Sequence, residues 1–319
     1  KVYPISCCRN PLNSGNLKAV GEIKMLVEHE HYDIVHCHTP IAAACTRIAC
    51  REARKSGLKV IYTAHGFHFY KGAPLKNWLI YYPIEKLCAH WTDVLITINK
   101  EDYALAQKKM KAKKVCYVPG VGIDTEKFKN TVVDKNVKRA EIGVPKDAFL
   151  LLSIGELNQN KNHEIVIKAL AQIKRKDIHY AIAGIGDKKE QLEQLAEEVG
   201  LSDRVKLLGY RTDVSELYAA SDAFIFPSFR EGLSVSLMEA MASGLPCIVS
   251  KIRGNVDLID EKGGTLFDPH SVNSCRNAIE QLMVSDRAAA GVYNQEKIKK
   301  FELGTIIEQM KEIYFGGNK

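Results

Sequence analysis

Apolar residues recur every three or four positions in NLKAVGEIKMLVEHE, the spacing of one helical face, and then crowd into the short run DIVHCH. That change of rhythm repeats. Helices are expected over 41–55, 75–91 and 100–110, each followed by a β-rich run: KVIYTAHG, VLITIN and KVCYVPG. Short β-rich runs separated by helices predict a parallel sheet covered on both faces. Between residues 120 and 146 the rhythm lapses into GVGIDTEKFKNTVVDKNVKRAEIGVPKD, charged and punctuated by Gly and Pro, which reads as a linker carrying one short helix. Alternation then restarts with AFLLLSIG, a helix over 163–174, HYAIAG, a helix over 188–199 closed by Gly200, VKLLG, a helix over 214–220, and AFIFPS.

Two Rossmann-like halves follow from this pattern. The expected division is 1–125, a linker over 126–147, and 148–299, with an amphipathic helix over 300–319 that packs back on the first half. The first half opens on KVYPISCCRN with no preceding strand, glycine loop and helix, so it reads as one βα unit short.

Length and composition agree with two soluble domains: 319 residues, 46% hydrophobic and 26% charged. No apolar run approaches the roughly 20 residues of a membrane span, and the first residues lack the apolar segment of a signal peptide, so a cytoplasmic location is expected. Nine cysteines, an odd number without CxxC pairing, point to reduced thiols. The net charge of +7 suits an anionic ligand or an anionic membrane surface. Nucleic acid is not an expected partner, because the basic residues are dispersed and no recognition motif is present.

The candidate chemistry concentrates in FREGLSVSLMEAMASGLPCIVS, where Glu231 and Glu239 stand on either side of a helix start with seven residues between them. Loops at the carboxyl ends of parallel strands face the ligand crevice, and a helix N-terminus offers unpaired N–H groups to phosphate. Gly232 allows the backbone close to a ligand. Two carboxylates are good acceptors for vicinal hydroxyls, so the segment describes a phosphate flanked by sugars. Glu239 lies among Leu237, Met238, Ala240 and Met241, where a carboxylate needs a partner.

The spacing E-x7-E resembles the donor signature of retaining glycosyltransferases of family 4. YDIVHCHTP, TAHGFHFYKGAP, LITINKEDY, VPGVGID and GELNQNKNHE match in order and are most similar to the bacterial capsular and exopolysaccharide branch. The resemblance implies the GT-B fold: two Rossmann-like domains whose parallel sheets face each other across a cleft. It implies that Glu239 holds the donor ribose, that Glu231 contacts the transferred sugar, and that backbone N–H groups of Leu233, Ser234 and Val235 contact the diphosphate or sugar. Lys161 matches the family's phosphate lysine, whereas Glu156 stands where an arginine is usual, leaving Arg230 or Arg211 as the second cation. Gly209, Tyr210 and Arg211 are expected to frame the base, and Gly186, in a Gly-x-Gly turn with Gly184, to border the donor. His65 matches a histidine near the transferred sugar.

His36 and His38 fall on one face of a strand with Cys37 opposite, and no further ligand pair is suitably spaced, so they read as strand-end or acceptor-side residues rather than a zinc site. The family implies no metal and no cofactor beyond the nucleotide-sugar donor itself. Its implied partners are that donor, taken to be UDP-linked, and a glycan or lipid-linked acceptor. Aromatics and lysines in FHFYKGAPLKNWLIYYPIEKLCAHW fit either a peripheral membrane contact or a packed core. Two other functions use the same residues: a nucleotide-sugar epimerase of related architecture, and a truncated donor-binding module with little turnover.

Overall fold

The computed structural model describes residues 1–316. Helix α1 (Gly15–Glu30) leads into β1 (Ile34–Cys37), α2 (Pro40–Ala49), β2 (Lys59–Ala64), α3 (Leu75–Ala89), β3 (Val94–Thr97), α4 (Lys100–Lys109) and β4 (Lys114–Tyr117). Then come α5 (Thr125–Lys129), α6 (Lys135–Glu141), β5 (Phe149–Ile154), α7 (His163–Gln172), β6 (Ile178–Ala183), α8 (Lys189–Glu198), β7 (Val205–Gly209) and α9 (Val214–Ala220). The chain continues through β8 (Ala223–Phe226), α10 (Val235–Ala242), β9 (Cys247–Ser250), α11 (Asn255–Leu258), β10 (Gly264–Phe267), α12 (Val272–Val284), α13 (Arg287–Ile298) and α14 (Leu303–Phe315). Contacts divide it into two units, residues 1–120 with 306–316, and residues 121–305.

The first unit is a four-stranded parallel sheet in the order β1-β2-β3-β4. Both faces of β2 and β3 are buried, which explains their unbroken apolar runs. On one side Tyr62, Ala64 and Leu95 pack with Phe67, Phe69, Trp78 and Tyr82. On the other, α14 lays Ile306, Met310, Ile313 and Tyr314 against Ile61, Val94, Ile96 and Val118. The Lys59 ammonium donates to the Tyr314 carbonyl at 3.0 Å, a cation on a helix C-terminus. Of the helix expected over 300–319, residues 299–301 form a separate 3-10 turn, and 317–319 lie outside the described residues. The helix expected over 41–55 stops at Ala49; a 3-10 turn, Ala53–Ser56, closes at Gly57 with φ 105°, a backbone that glycine tolerates best.

The second unit is a six-stranded parallel sheet ordered β10-β9-β8-β5-β6-β7. The linker expected over 126–147 needs correction. Its segment holds α5 and α6, each N-capped by an aspartate, and it buries Phe128, Ile142 and Val144 in the core beneath β5 and α10. The helices are short and rich in Lys, and α6 buries only Lys138 and Arg139 within its bounds, so the segment has no recognisable apolar period.

Candidate active site

After β5 the chain builds β6 and β7 on one side of it, then crosses to β8 on the other. The loops leaving β5 and β8, residues 155–162 and 227–234, therefore emerge side by side where the strand order reverses. They are laced together. Phe229 N–H donates to the Asn160 carbonyl at 2.8 Å, and Asn160 Nδ2 donates to the Arg230 carbonyl at 3.0 Å. Asn162 takes a left-handed φ of 54°, held by Nδ2 donating to the carbonyls of Pro227 (3.2 Å) and Pro269 (3.0 Å). Beside it the Lys161 ammonium lies 2.8 Å from Glu231 Oε1 and 4.6 Å from the centre of the Phe226 ring. Their side chains are 19% and 15% exposed, so the pair is partly shielded yet reachable.

Helix α10 begins just beyond, capped by Ser234 Oγ, which accepts from Leu237 N–H at 3.3 Å. Gly232, Leu233, Ser234 and Val235 thus form the approach to and first turn of that helix, where backbone donors lack intrahelical partners. Leu237, Met238, Ala240 and Met241 are fully buried, which anchors the helix and leaves Glu239 half-buried at its edge. The partner that Glu239 required is Tyr218, whose hydroxyl donates to Oε2 at 3.1 Å. Burial raises the Glu239 pKa, and the Tyr218 hydrogen bond and the nearby Lys127 charge oppose that rise.

The Gly-x-Gly turn after β6 touches the first loop. A Cβ on Gly186 would stand 2.3 Å from the Leu157 carbonyl oxygen, so this turn closes only with glycine. Gly209 ends β7, and its carbonyl accepts from Gly184 N–H at 2.8 Å. Tyr210 is 75% exposed. The Arg211 guanidinium is not directed at the Lys161–Glu231 pair: Nε donates to Asp213 Oδ1 at 2.7 Å and NH2 to Glu141. That guanidinium holds Asp213 well below the usual carboxylate range. Lys138 joins the same network, 2.9 Å from Asp213 and 2.6 Å from Glu216. Of the two arginines expected as a second cation, Arg211 is thus engaged by Asp213 and Glu141, while Arg230 is exposed on the β8 loop. Glu156 is exposed, accepting from Asn158 Nδ2 at 2.7 Å.

In the first unit His65 follows β2, with its Nε2 3.1 Å from His38 Nδ1. His36 is bound at both nitrogens, Nδ1 2.6 Å from the Tyr314 hydroxyl and Nε2 2.8 Å from Thr63 Oγ1. Among the described residues no group of three or more His, Cys, Asp or Glu side chains could hold a metal. Trp78, Tyr81 and Tyr82 face the core, while Leu75, Lys76, Leu79, Lys86 and Leu87 form the exposed side of α3.

Sequence reasoning did not identify Tyr218, Lys127, Asn162 or Tyr314. Each meets its partner through the fold, and only the left-handed Asn162 beside a lysine left a local mark.

Two parallel-sheet α/β units, one carrying a loop pair and a helix start at its switch point, have the GT-B architecture. Residues 134–298 match the family described as "Glycosyl transferases group 1" and residues 2–127 match "Glycosyltransferase Family 4". The chain belongs to that glycosyltransferase family. It is 36% identical to the "Putative glycosyltransferase EpsD" of Bacillus subtilis (strain 168), over 98% of this chain and 84% of that one. It is 30% identical to the UDP-Gal:alpha-D-GlcNAc-diphosphoundecaprenol alpha-1,3-galactosyltransferase of Escherichia coli, over 96% of this chain and 81% of that one. The crystal structure of Anabaena Alr3699/HepE in complex with UDP superposes with a TM-score of 0.81 at 24% identity, covering 95% of this chain and 83% of that one, which is a likeness of fold.

Proposed function

We propose that the protein moves a hexose, with retention of configuration, from a UDP-linked donor to a lipid-linked glycan acceptor in cell-surface polysaccharide synthesis. The observation that carries this reading is the loop pair at the switch point. A shielded lysine and a helix N-terminus are set there for phosphate, and a carboxylate lies on each side for hydroxyls. In this reading Glu239 accepts from the ribose hydroxyls, Glu231 accepts from the transferred sugar, and Lys161, Arg230 and the N–H groups of Leu233 to Val235 bind the diphosphate. Gly186, Gly209 and Tyr210 border the base. Charge that develops on the leaving diphosphate is stabilised by fixed donors that need no reorganisation. That arrangement calls for no divalent metal, and turnover in the presence of a chelator is the check. His65 offers an imidazole to a sugar hydroxyl or to the departing phosphate. The acceptor class is suggested by the Escherichia coli relative, whose name specifies a diphosphoundecaprenol acceptor. A cytoplasmic location at the inner membrane face follows from the same reading.

Calorimetric titration of UDP, GDP and ADP into the protein and its Glu239→Ala variant, without added metal, tests the donor site. UDP should bind best, and the variant should lose more than about 1.5 kcal/mol, the value of a hydrogen bond to a charged acceptor. Equal binding by the variant would remove the ribose role. Sugar transfer from UDP-galactose to GlcNAc-diphosphoundecaprenol separates a transferase from an epimerase, which would convert the donor alone.

A further inference from the structure

The imidazoles of His36, His38 and His65 form a continuous series at the carboxyl ends of β1 and β2. His36 is the fixed member. With Tyr314 on one nitrogen and Thr63 on the other, its ring cannot turn without losing a hydrogen bond. The His38 ring lies against it, centroids 4.2 Å apart and planes tilted by 37°. His38 in turn reaches His65 through the 3.1 Å contact between Nδ1 and Nε2, their centroids 5.3 Å apart. Gly66, with φ 142°, turns the chain immediately after His65.

A hydrogen bond between two neutral imidazoles has one donor nitrogen and one acceptor, so the tautomer of one ring dictates that of the other. We propose that His38 is the positioning residue of His65, setting its tautomer and ring orientation and leaving His65 Nδ1 as the atom presented to a ligand. His36, Thr63 and Tyr314 are the support that holds His38 in place. The support reaches across sequence. Tyr314 belongs to α14, so the last helix of the chain contributes to the set of the imidazole after β2. The functional part of this inference rests on the reading of His65 given above, whereas the structural part does not.

The test compares His38→Leu, which removes the contact, with His38→Asn, which keeps a polar atom near the position of Nδ1. Long-range proton–nitrogen NMR of the histidine-labelled full chain reports the tautomer of His65 without any substrate. One tautomer is expected in the unsubstituted protein and in His38→Asn, and a mixture in His38→Leu. UDP release from UDP-galactose with GlcNAc-diphosphoundecaprenol should show kcat lowered about tenfold in His38→Leu, KM within twofold, and kcat largely restored in His38→Asn. Melting curves confirm that both variants fold. A His38→Leu protein with an unchanged His65 tautomer and unchanged kcat overturns the proposal. If His65→Ala turns over normally, the role of His65 in the reaction is lost instead, and the NMR comparison still decides whether His38 positions it.

Discussion

At the scale of single residues, the Lys161–Glu231 pair makes a prediction that depends on competition. In this structure the lysine is bound by Glu231; a diphosphate arriving at the helix start would draw the same ammonium away. Glu231→Gln should therefore bind UDP as well as or slightly better than the unsubstituted protein, while sugar transfer falls at least a hundredfold. Lys161→Ala should lose at least tenfold in UDP affinity. Calorimetry and a transfer assay on both variants check this, and weaker UDP binding by Glu231→Gln would refute the competition. Glu231, Glu239 and Lys161 could be picked out in the sequence because each lies within a short span whose spacing carries its chemistry. Tyr218 could not, since it reaches Glu239 from a different helix across the sheet's end. The carboxylate pairing of Arg211 was half hidden for a related reason: Asp213 is its near neighbour, but Glu141 lies far away in sequence, in a segment read as linker.

At the scale of elements, the alternation of helix and strand was legible because the inner strands β2, β3, β5, β6, β8 and β9 are buried on both faces, and a continuous apolar run survives any local noise. Of the short helices α5 and α6 only one was expected, because α5 buries a single large apolar side chain, Phe128, and α6 buries Lys138 and Arg139 but no apolar residue. Helix α14 makes the clearest prediction. Ile306 is 3% exposed against the first sheet, so Ile306→Ala should cost about 2–4 kcal/mol. Both tryptophans, Trp78 and Trp91, belong to the first unit, so their fluorescence during urea unfolding isolates that loss. UDP binding should be unchanged, and an unshifted tryptophan transition would show that α14 is dispensable. Helix α3 turns its aromatics inward and leaves Leu75, Leu79, Leu87, Lys76 and Lys86 outside. Partly apolar and basic, that side suits an anionic bilayer. Sedimentation with phosphatidylglycerol vesicles should exceed that with phosphatidylcholine, and Lys76→Glu with Lys86→Glu should abolish the difference; equal sedimentation would end the membrane reading.

At the scale of the whole molecule, acid should act on both units through buried imidazoles. The His36 pKa is lowered to about 4 by burial first and by His38 and His65 second, and the His163 pKa is lowered to about 4 chiefly by burial. Below the ordinary histidine value of about 6.5 the unfolded chain takes up protons that the folded one refuses. Stability is therefore full above about pH 6.5 and falls as the pH drops towards 4. Melting temperatures at pH 7.5, 6 and 5 should decline in that order, and His36→Gln should lessen the decline of the tryptophan signal. A flat profile would mean that these imidazoles titrate normally. The chain also leaves the first unit at Gly120 and comes back at residue 306, so the whole second unit is spelled out between two parts of the first. During synthesis, at roughly 5–20 residues per second, the sheet begun first must wait on the order of ten seconds with Ile61, Val94 and Ile96 lacking their cover. The second unit can close in the meantime. On the ribosome, then, of these two units the one started first is finished second, and any chaperone that shields a bare apolar sheet has its work on the first unit while the second is still being made.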